Sequence, residues 1–355
     1  MTVLVVGGGP AGSLAALLLA RGGARVTLIE QHRFPRDKVC GECLSDLGLQ
    51  VLERHHLTAG FRRTGRTIVN AVLHGRTGRA RLALPSPMLG ISRAAMDSLL
   101  LSAAADAGVR VRQPARVEAV EARGEAVDVR VRDLADNRVD VETVDWCLLA
   151  DGRGTFNDSR PAASGDLGIK AHFRNVAASA DAVTLYGGVG CYGGVAPIEN
   201  DRWNVAFAVP RTIVAAARGD LKSVWRKLLA SSAALRSDFA RAERVTDWLA
   251  APLPRHREPE ELRGRVVPTG AAACAIEPVG GEGMGTAIRS AELAAEAVLA
   301  GDITTLSAAY AKLWRRRSLF CRVGGLLLSD RWASDAVELA STPVAGRAAM
   351  WLIGK

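Results

Sequence analysis

The residues Gly7-Gly8-Gly9-Pro10-Ala11-Gly12 and the carboxylate of Glu30, eighteen positions on, have types and a spacing that suit one kind of chemistry. Gly7 permits a tight turn out of a strand, and Gly9 lets an anionic group approach the backbone. Gly12 lets the following helix pack closely on that strand. The N-terminus of such a helix, here at Pro10 and Ala11, presents unpaired N–H groups to phosphates. An acid at the end of the next strand accepts both ribose hydroxyl protons, and its charge disfavours a 2′-phosphate. The expectation is a dinucleotide site.

Two further stretches carry candidate chemistry. Cys40-Gly41-Glu42-Cys43 has the C-x-x-C spacing. As a zinc half-site it lacks a second pair close in sequence, so no metal is expected; a redox dithiol remains an alternative. Gly270 to Gly285 is a glycine-rich loop that runs into a helix over about Thr286 to Leu299, and its dipole suits negative charge.

The elements that position these residues follow from composition. Thr2–Val6 and Val26–Ile29 are short, apolar and β-branched, as buried parallel strands are, and Ala11–Arg21 is rich in Ala and Leu. Gly22-Gly23 stops that helix. Pro35 opens a loop that leads to a helix at about Ser45 to Leu52, with Ser45 at the N-cap. Val109 to Val131 alternates over two runs, and Trp146 to Ala150 is a buried strand ending in Asp151-Gly152. Leu167–Phe173, Ala182–Tyr186 and Trp203–Val209 read as strands, with turns at Gly187-Gly188 and at Glu199-Asn200-Asp201. Residues 213–243 read as helices, and further helices are expected near Thr305–Cys321, Asp335–Leu339 and Ala345–Ile353.

The chain has 355 residues, 48% of them hydrophobic, which is ample for two domains. Its 46 basic and 37 acidic residues leave a net charge of +9, with local concentrations at Arg62-Arg63 and Arg315-Arg316-Arg317. No basic stripe interleaves with aromatics, so nucleic acid is not a partner. Six cysteines make no disulfide framework for a chain of this size. Without a signal peptide or an eighteen-residue apolar run, a cytoplasmic protein is expected. The apolar stretches Leu326-Leu327-Leu328 and Met350-Trp351-Leu352-Ile353, with arginines nearby, suit a membrane surface or a carrier-bound substrate. Packing against the body is the plainer reading of both.

The glycine turn, Glu30 and Pro35-Arg36-x-Lys38-x-Cys40-Gly41 together resemble FAD-dependent oxidoreductases of the geranylgeranyl reductase type. These belong to the para-hydroxybenzoate hydroxylase-like flavoproteins, which include flavin halogenases. The resemblance implies that Arg36, Cys40 and Gly41 lie along the cofactor, with Cys40 facing the isoalloxazine. Arg93, in Ile91-Ser92-Arg93-Ala94-Ala95-Met96-Asp97, matches the family's Arg-x-x-x-Asp helix start. Asp151, in Trp146 to Gly154, matches its second nucleotide contact. Gly270-Ala271 and Pro278-Val279-Gly280-Gly281-Glu282-Gly283-Met284 match its third motif, with one departure. Ala271 stands where the family has an aspartate for the ribityl chain, and losing that acceptor should weaken FAD binding. Gly190 to Pro197 is similar to the reductases' substrate-facing stretch but lacks its tryptophan and phenylalanine.

The expectation is an α/β flavoprotein: a Rossmann-like FAD-binding domain, a β-sheet substrate cap and C-terminal helices. Residues 1–65, 91–155 and 258–300 would form the first, 66–90 and 156–257 the cap, and 301–355 the C-terminal segment. NAD(P)H would visit as a transient reductant, since no second dinucleotide fingerprint is present. The first reaction expected is monooxygenation of an apolar aromatic or polyketide-like metabolite. The alternatives are reduction of a carbon–carbon double bond in a prenyl or polyketide substrate, with Cys40 as proton donor, and a degenerate non-catalytic nucleotide-binding protein. Tyr192 and His172 are the candidates for acid–base work beside Cys40.

Overall fold

A strand of five apolar or β-branched residues, a glycine turn and an Ala/Leu helix assemble as their composition directs. The computed structural model describes residues 1–75, 78–152, 156, 165–188, 190–253 and 258–329. Strand β1 (Thr2–Val6) lies at the centre of a parallel sheet, flanked by β2 (Arg25–Ile29), then β6 (Arg110–Arg112), and on its other side by β10 (Trp146–Leu149) and β17 (Val266–Pro268). Both faces of this sheet are covered, which is why β1 and β10 are apolar at nearly every position.

Helix α1 (Pro10–Arg21) packs on the sheet, between α4 (Arg93–Asp106) and α8 (Glu282–Ala300). Leu14, Leu17, Ala291 and Ala294 meet there fully buried. Helix α2 (Asp46–Arg54) lies against α8 and α3 (Thr58–Thr64) beside it. On the opposite face a three-stranded sheet, β7 (Ala115–Arg123), β8 (Ala126–Asp133) and β9 (Val139–Val144), seals the core with Val117, Val127 and Val129.

The large mixed sheet has the order β15 (Glu243–Arg244), β11 (Leu167–Arg174), β14 (Arg202–Val209), β13 (Cys191–Ile198), β12 (Ala182–Gly188), β4 (Arg66–His74), β5 (Arg79–Gly90), β3 (Cys43–Leu44). Strand β16 (Leu249–Pro252) adds to β11. Its two faces differ, because side chains alternate along each strand. One face carries Ile169, Phe173, Val205 and Phe207 into an aromatic core under α5 (Arg211–Ala216), α6 (Leu221–Ser231) and α7 (Ala233–Asp238). The other carries Lys170, His172, Tyr192 and Asn204 toward the parallel-sheet half.

Helix α9 (Leu306–Ser329) runs past that junction. The Tyr310 hydroxyl donates to the Pro268 carbonyl at 3.1 Å and the Trp314 indole N–H to the Ala275 carbonyl at 3.0 Å. Arg317 reaches Glu282 at 3.5 Å, so α9 braces the glycine loop. Among the described residues no helix is long and apolar enough to cross a membrane.

Several expectations need correction. Cys191 to Pro197, read as part of a stretch between strands, lies in β13, paired on both sides with β12 and β14, and Gly187-Gly188, expected as a turn, is the end of β12. Helix α4 starts at Arg93, as the Arg-x-x-x-Asp match implies, but α8 starts earlier than expected, at Glu282, and α9 extends past Cys321 to Ser329. Ser45 precedes α2 as expected, but its hydroxyl turns to Glu282 at 3.3 Å instead of capping the helix. Ser92 does cap α4, accepting from the Ala95 N–H at 3.1 Å, a bond worth about 1 kcal/mol. Gly154, the expected helices at Asp335–Leu339 and Ala345–Ile353, and Leu327, Leu328 and Met350 to Ile353 lie outside the described residues or side chains.

Candidate cofactor and substrate site

Gly7 takes φ +100°, and a Cβ there would lie 2.6 Å from the Ala150 carbonyl oxygen; a Cβ at Gly12 would overlap the Gly7 carbonyl. These two glycines seat the turn and α1 against β1 and β10. Gly9 is different: a Cβ there meets only the Arg93 guanidinium, at 3.7 Å. The space over Gly9 is therefore an open cradle bounded by a cation. Pro10 and Ala11 are buried in the first turn of α1, whose N-terminus points at that space. The buried Glu30 carboxylate accepts the Gly8 N–H and the His32 N–H, both at 2.8 Å. That fixes its orientation at the end of β2.

Three cations converge beside this turn. Arg93 is buried and bidentate to Asp97, at 2.8 and 2.7 Å. Burial opposes its charge, yet Asp97 and the adjacent Cys40 sulfur hold the guanidinium above its usual range. Arg36 stacks on Phe34 and approaches Asp97 at 3.8 Å and Glu30 at 3.9 Å. Its Nε is buried with no hydrogen-bond partner among the described residues, and burial draws its pKa down. Lys38, whose ammonium would lie 3.3 Å from a Cβ on Gly152, is pushed down to about 8, by burial first and then by Arg93 and Arg36. Desolvated cations over an open glycine turn, with a fixed carboxylate beyond them, fit the diphosphate and ribose of a dinucleotide. Asp151 borders the same turn next to Gly152.

The Cys40 loop crosses from this turn to the mixed sheet. Cys40 is half-buried and Gly41 has open space where its Cβ would be. Glu42 is fully buried in the left-handed region, φ +55°, a conformation that costs an ordinary residue about 1–2 kcal/mol. Its carboxylate accepts Lys170 Nζ at 2.5 Å and the Arg93 N–H at 2.8 Å on one oxygen, and faces His172 Nε2 at 2.7 Å on the other. Lys170 also donates to Asp37 at 3.1 Å and to the Lys38 carbonyl at 3.3 Å, and Asn204 Nδ2 donates to the Cys40 carbonyl at 3.0 Å. Ligand atoms of Asp37, Glu42 and His172 lie within 4.8 Å of one another, and the Lys170 ammonium stands among them. His172, expected as a base, is thus bonded into the loop's support. Cys43 is buried in β3 beside Ile68 and Met88, and none of the six cysteines forms a disulfide.

On the same face of the sheet, the Tyr192 hydroxyl donates to Glu277 at 2.6 Å. Burial and the Glu277 carboxylate both raise the Tyr192 pKa, so the phenol stays neutral. Tyr192, Ala208, Leu185, Leu253 and Val279 pack together across the junction. Glu277 belongs to the glycine loop. Gly281, at φ +68°, starts α8; Gly283 is open above its Cα, and Met284 is buried. Gly270, at φ +64°, packs on Ala11 and donates its N–H to Ser290 at 2.9 Å, while Ala271 beside it is half-buried and offers no side-chain acceptor.

Chain order alone missed Glu42, Lys170, Asn204 and Glu277. Glu42 was visible only as an interior position of the C-x-x-C spacing, and Lys170 sits 128 residues away from it.

The sequence pattern of the FAD binding domain family matches residues 1–301. A menaquinone reductase from Mycolicibacterium smegmatis is 26% identical over 341 residues, covering 88% of this chain and 79% of that protein. The aklavinone 12-hydroxylase DnrF of Streptomyces peucetius is 27% identical over 54% of this chain and 44% of its own length. The flavin-dependent brominase Bmp2 superposes with a TM-score of 0.83 at 19% identity, over 100% of this chain and 94% of that one.

Proposed function

The chain belongs to the FAD binding domain family, a group of FAD-dependent oxidoreductases, and from that premise we propose that it reduces an unsaturated, apolar, quinone- or prenyl-type substrate held between the Cys40 loop and the mixed sheet. The observation that carries this reading is the Cys40 sulfur beside the Arg93 guanidinium, at the junction of cofactor turn and sheet. The similarity to a menaquinone reductase over most of both chains supports it. Bound FAD would supply the hydride. Gly9, Arg36, Lys38 and Arg93 would hold its diphosphate, Glu30 its ribose, and the start of α8 would face developing negative charge. Cys40 would deliver the proton to the substrate carbon, with Arg93 stabilising the thiolate left behind. Leu185, Ala208, Leu253 and Val279 would exclude water.

Monooxygenation of an apolar aromatic is the second reading. The Tyr192–Glu277 pair favours it, since a neutral phenol bonded to a carboxylate suits a hydroxylated aromatic, and so does the partial likeness to DnrF. In either case NAD(P)H is the proposed transient reductant, the setting is cytoplasmic, and contact with a membrane surface or carrier protein would deliver the substrate. The test is NADPH oxidation with a menaquinone, followed by oxygen electrode and mass spectrometry. A product two hydrogens heavier without oxygen uptake supports reduction. A product one oxygen heavier replaces it with the second reading, and a protein that takes up no FAD overturns both.

A further inference from the structure

Glu42 takes bonds from two directions. Lys170 and His172 reach it from β11 in the mixed sheet, and the Arg93 N–H reaches it from the start of α4 beside the cofactor turn. The Ile91 N–H also donates to the Glu42 carbonyl at 3.0 Å, and the Glu42 N–H lies 3.4 Å from the Cys40 sulfur. Asn204 ties the Cys40 carbonyl to β14. Among the described residues, the side chains that fix residues 37–42 to the sheet by polar contacts are Lys170, His172 and Asn204, none of which lies in a motif.

We propose that Lys170 and His172 are positioning residues: acting through Glu42, they set Cys40 against Arg93 and aim Arg93 at the glycine turn. A fully buried ion pair is a poor device for stability alone, because a pair of apolar side chains of similar size is commonly as stable or more so. It is a good device for geometry, because each charge tolerates few arrangements once desolvated. Here the geometry held is that of a half-buried thiol and a buried guanidinium at the candidate site. The Glu42 backbone, left-handed at φ +55°, is held in that conformation by the same contacts. The groups facing Cys40 are the Arg93 guanidinium and the Lys38 ammonium, with Arg36 and Asp97 behind them; the Glu42 carboxylate points to the sheet. Releasing Glu42 should therefore reach Cys40 through Arg93.

The inference rests on the reading of the glycine turn as an FAD site for one arm of its test and not for the other. In FAD-free protein, the rate of Cys40 alkylation by iodoacetamide at one fixed pH is followed by peptide mass spectrometry. In parallel, the FAD dissociation constant and thermal midpoint are measured. The double variant Glu42→Gln/Lys170→Met removes both charges and keeps both sizes. We expect it to unfold near the wild-type temperature, with Cys40 alkylated several-fold faster because the half-buried thiol is no longer held by the pinned loop, and FAD bound about tenfold more weakly. Wild-type alkylation and affinity in that folded variant would overturn the proposal and leave the cluster a structural one. His172→Gln, which can still donate to Glu42, and His172→Leu, which cannot, give a second comparison without a buried lone charge. Glutamine should preserve both readouts and leucine lose them; identical behaviour of the two overturns the role of His172. If wild-type protein fails to bind FAD, the proposed function falls while the alkylation arm still decides this one.

Discussion

Removing or neutralising the charge of Lys38 should govern how tightly a dinucleotide binds. Its pKa is pushed down to about 8 from 10.5, by burial and by the Arg93 and Arg36 guanidinium groups. At about 1.4 kcal/mol per pH unit, keeping it protonated at neutral pH costs on the order of 3 kcal/mol, an upper bound because the half-buried side chain meets some water. Below about 8 the ammonium is charged in folded and unfolded chains alike, and the fold bears the full cost. Between about 8 and 10.5 the unfolded chain holds the proton and the fold does not, so this destabilisation fades as pH rises. A diphosphate over Gly9 supplies the missing counter-charge, and the complex should keep the proton to higher pH. The dissociation constant for FAD should thus be flat up to about pH 8 and then rise up to about tenfold per unit, with about one proton taken up on binding. Calorimetric titration in two buffers of different ionisation heat measures both, and ADP-ribose should show the same slope because the flavin plays no part in it. Lys38→Met should lose the slope and bind up to about a hundredfold more weakly at pH 7. A flat profile in the wild type, or a slope that survives in Lys38→Met but not in Cys40→Ser, would refute the reasoning.

Other outcomes follow from the glycines, the loop and the sheet. Gly9→Val should fold, since only Arg93 borders the site, yet lose FAD, whereas Gly12→Ala should destabilise the fold itself; flavin content and thermal midpoint separate the two. Ala271→Asp should tighten FAD by about 1.5–3 kcal/mol if it recovers an acceptor for a ribityl hydroxyl; equal or weaker affinity by fluorescence titration would show that another group already serves. Cys40→Ser should lower turnover or flavin reduction while Cys43→Ser, buried beside Met88, should not; equal loss in both would point to the dithiol. Tyr192→Phe should leave FAD affinity unchanged but alter turnover, and unchanged turnover would remove Tyr192 and Glu277 from the chemistry.

What was legible in the sequence was what is local. The turn from Gly7 to Gly12 and its flanking strands depend on residues within thirty positions, so spacing and β-branching suffice to read them. Strand β13 was not legible, because Gly193, Gly194 and Ala196 have the composition of a loop. It is a strand because β12 and β14 complete its hydrogen bonds from both sides. Ser45 has the right type and place for a cap, but the tertiary contact with Glu282 takes its hydroxyl. The support of the Cys40 loop was invisible for the same reason: Lys170 and Asn204 read as ordinary polar positions of amphipathic strands, and His172 as a candidate base, until the fold sets them against residues 37–42.

The Lys170 ammonium has a consequence for what the protein requires of its surroundings. It occupies a place among Asp37, Glu42 and His172 whose donor set would suit a metal ion. A cation carried on the chain itself needs no loading, cannot be stripped by chelators and has no redox state to be damaged by the oxygen that reduced flavins meet. The Lys170 ammonium thus ties the loop to the sheet through Asp37 and Glu42 with a charge the chain supplies itself.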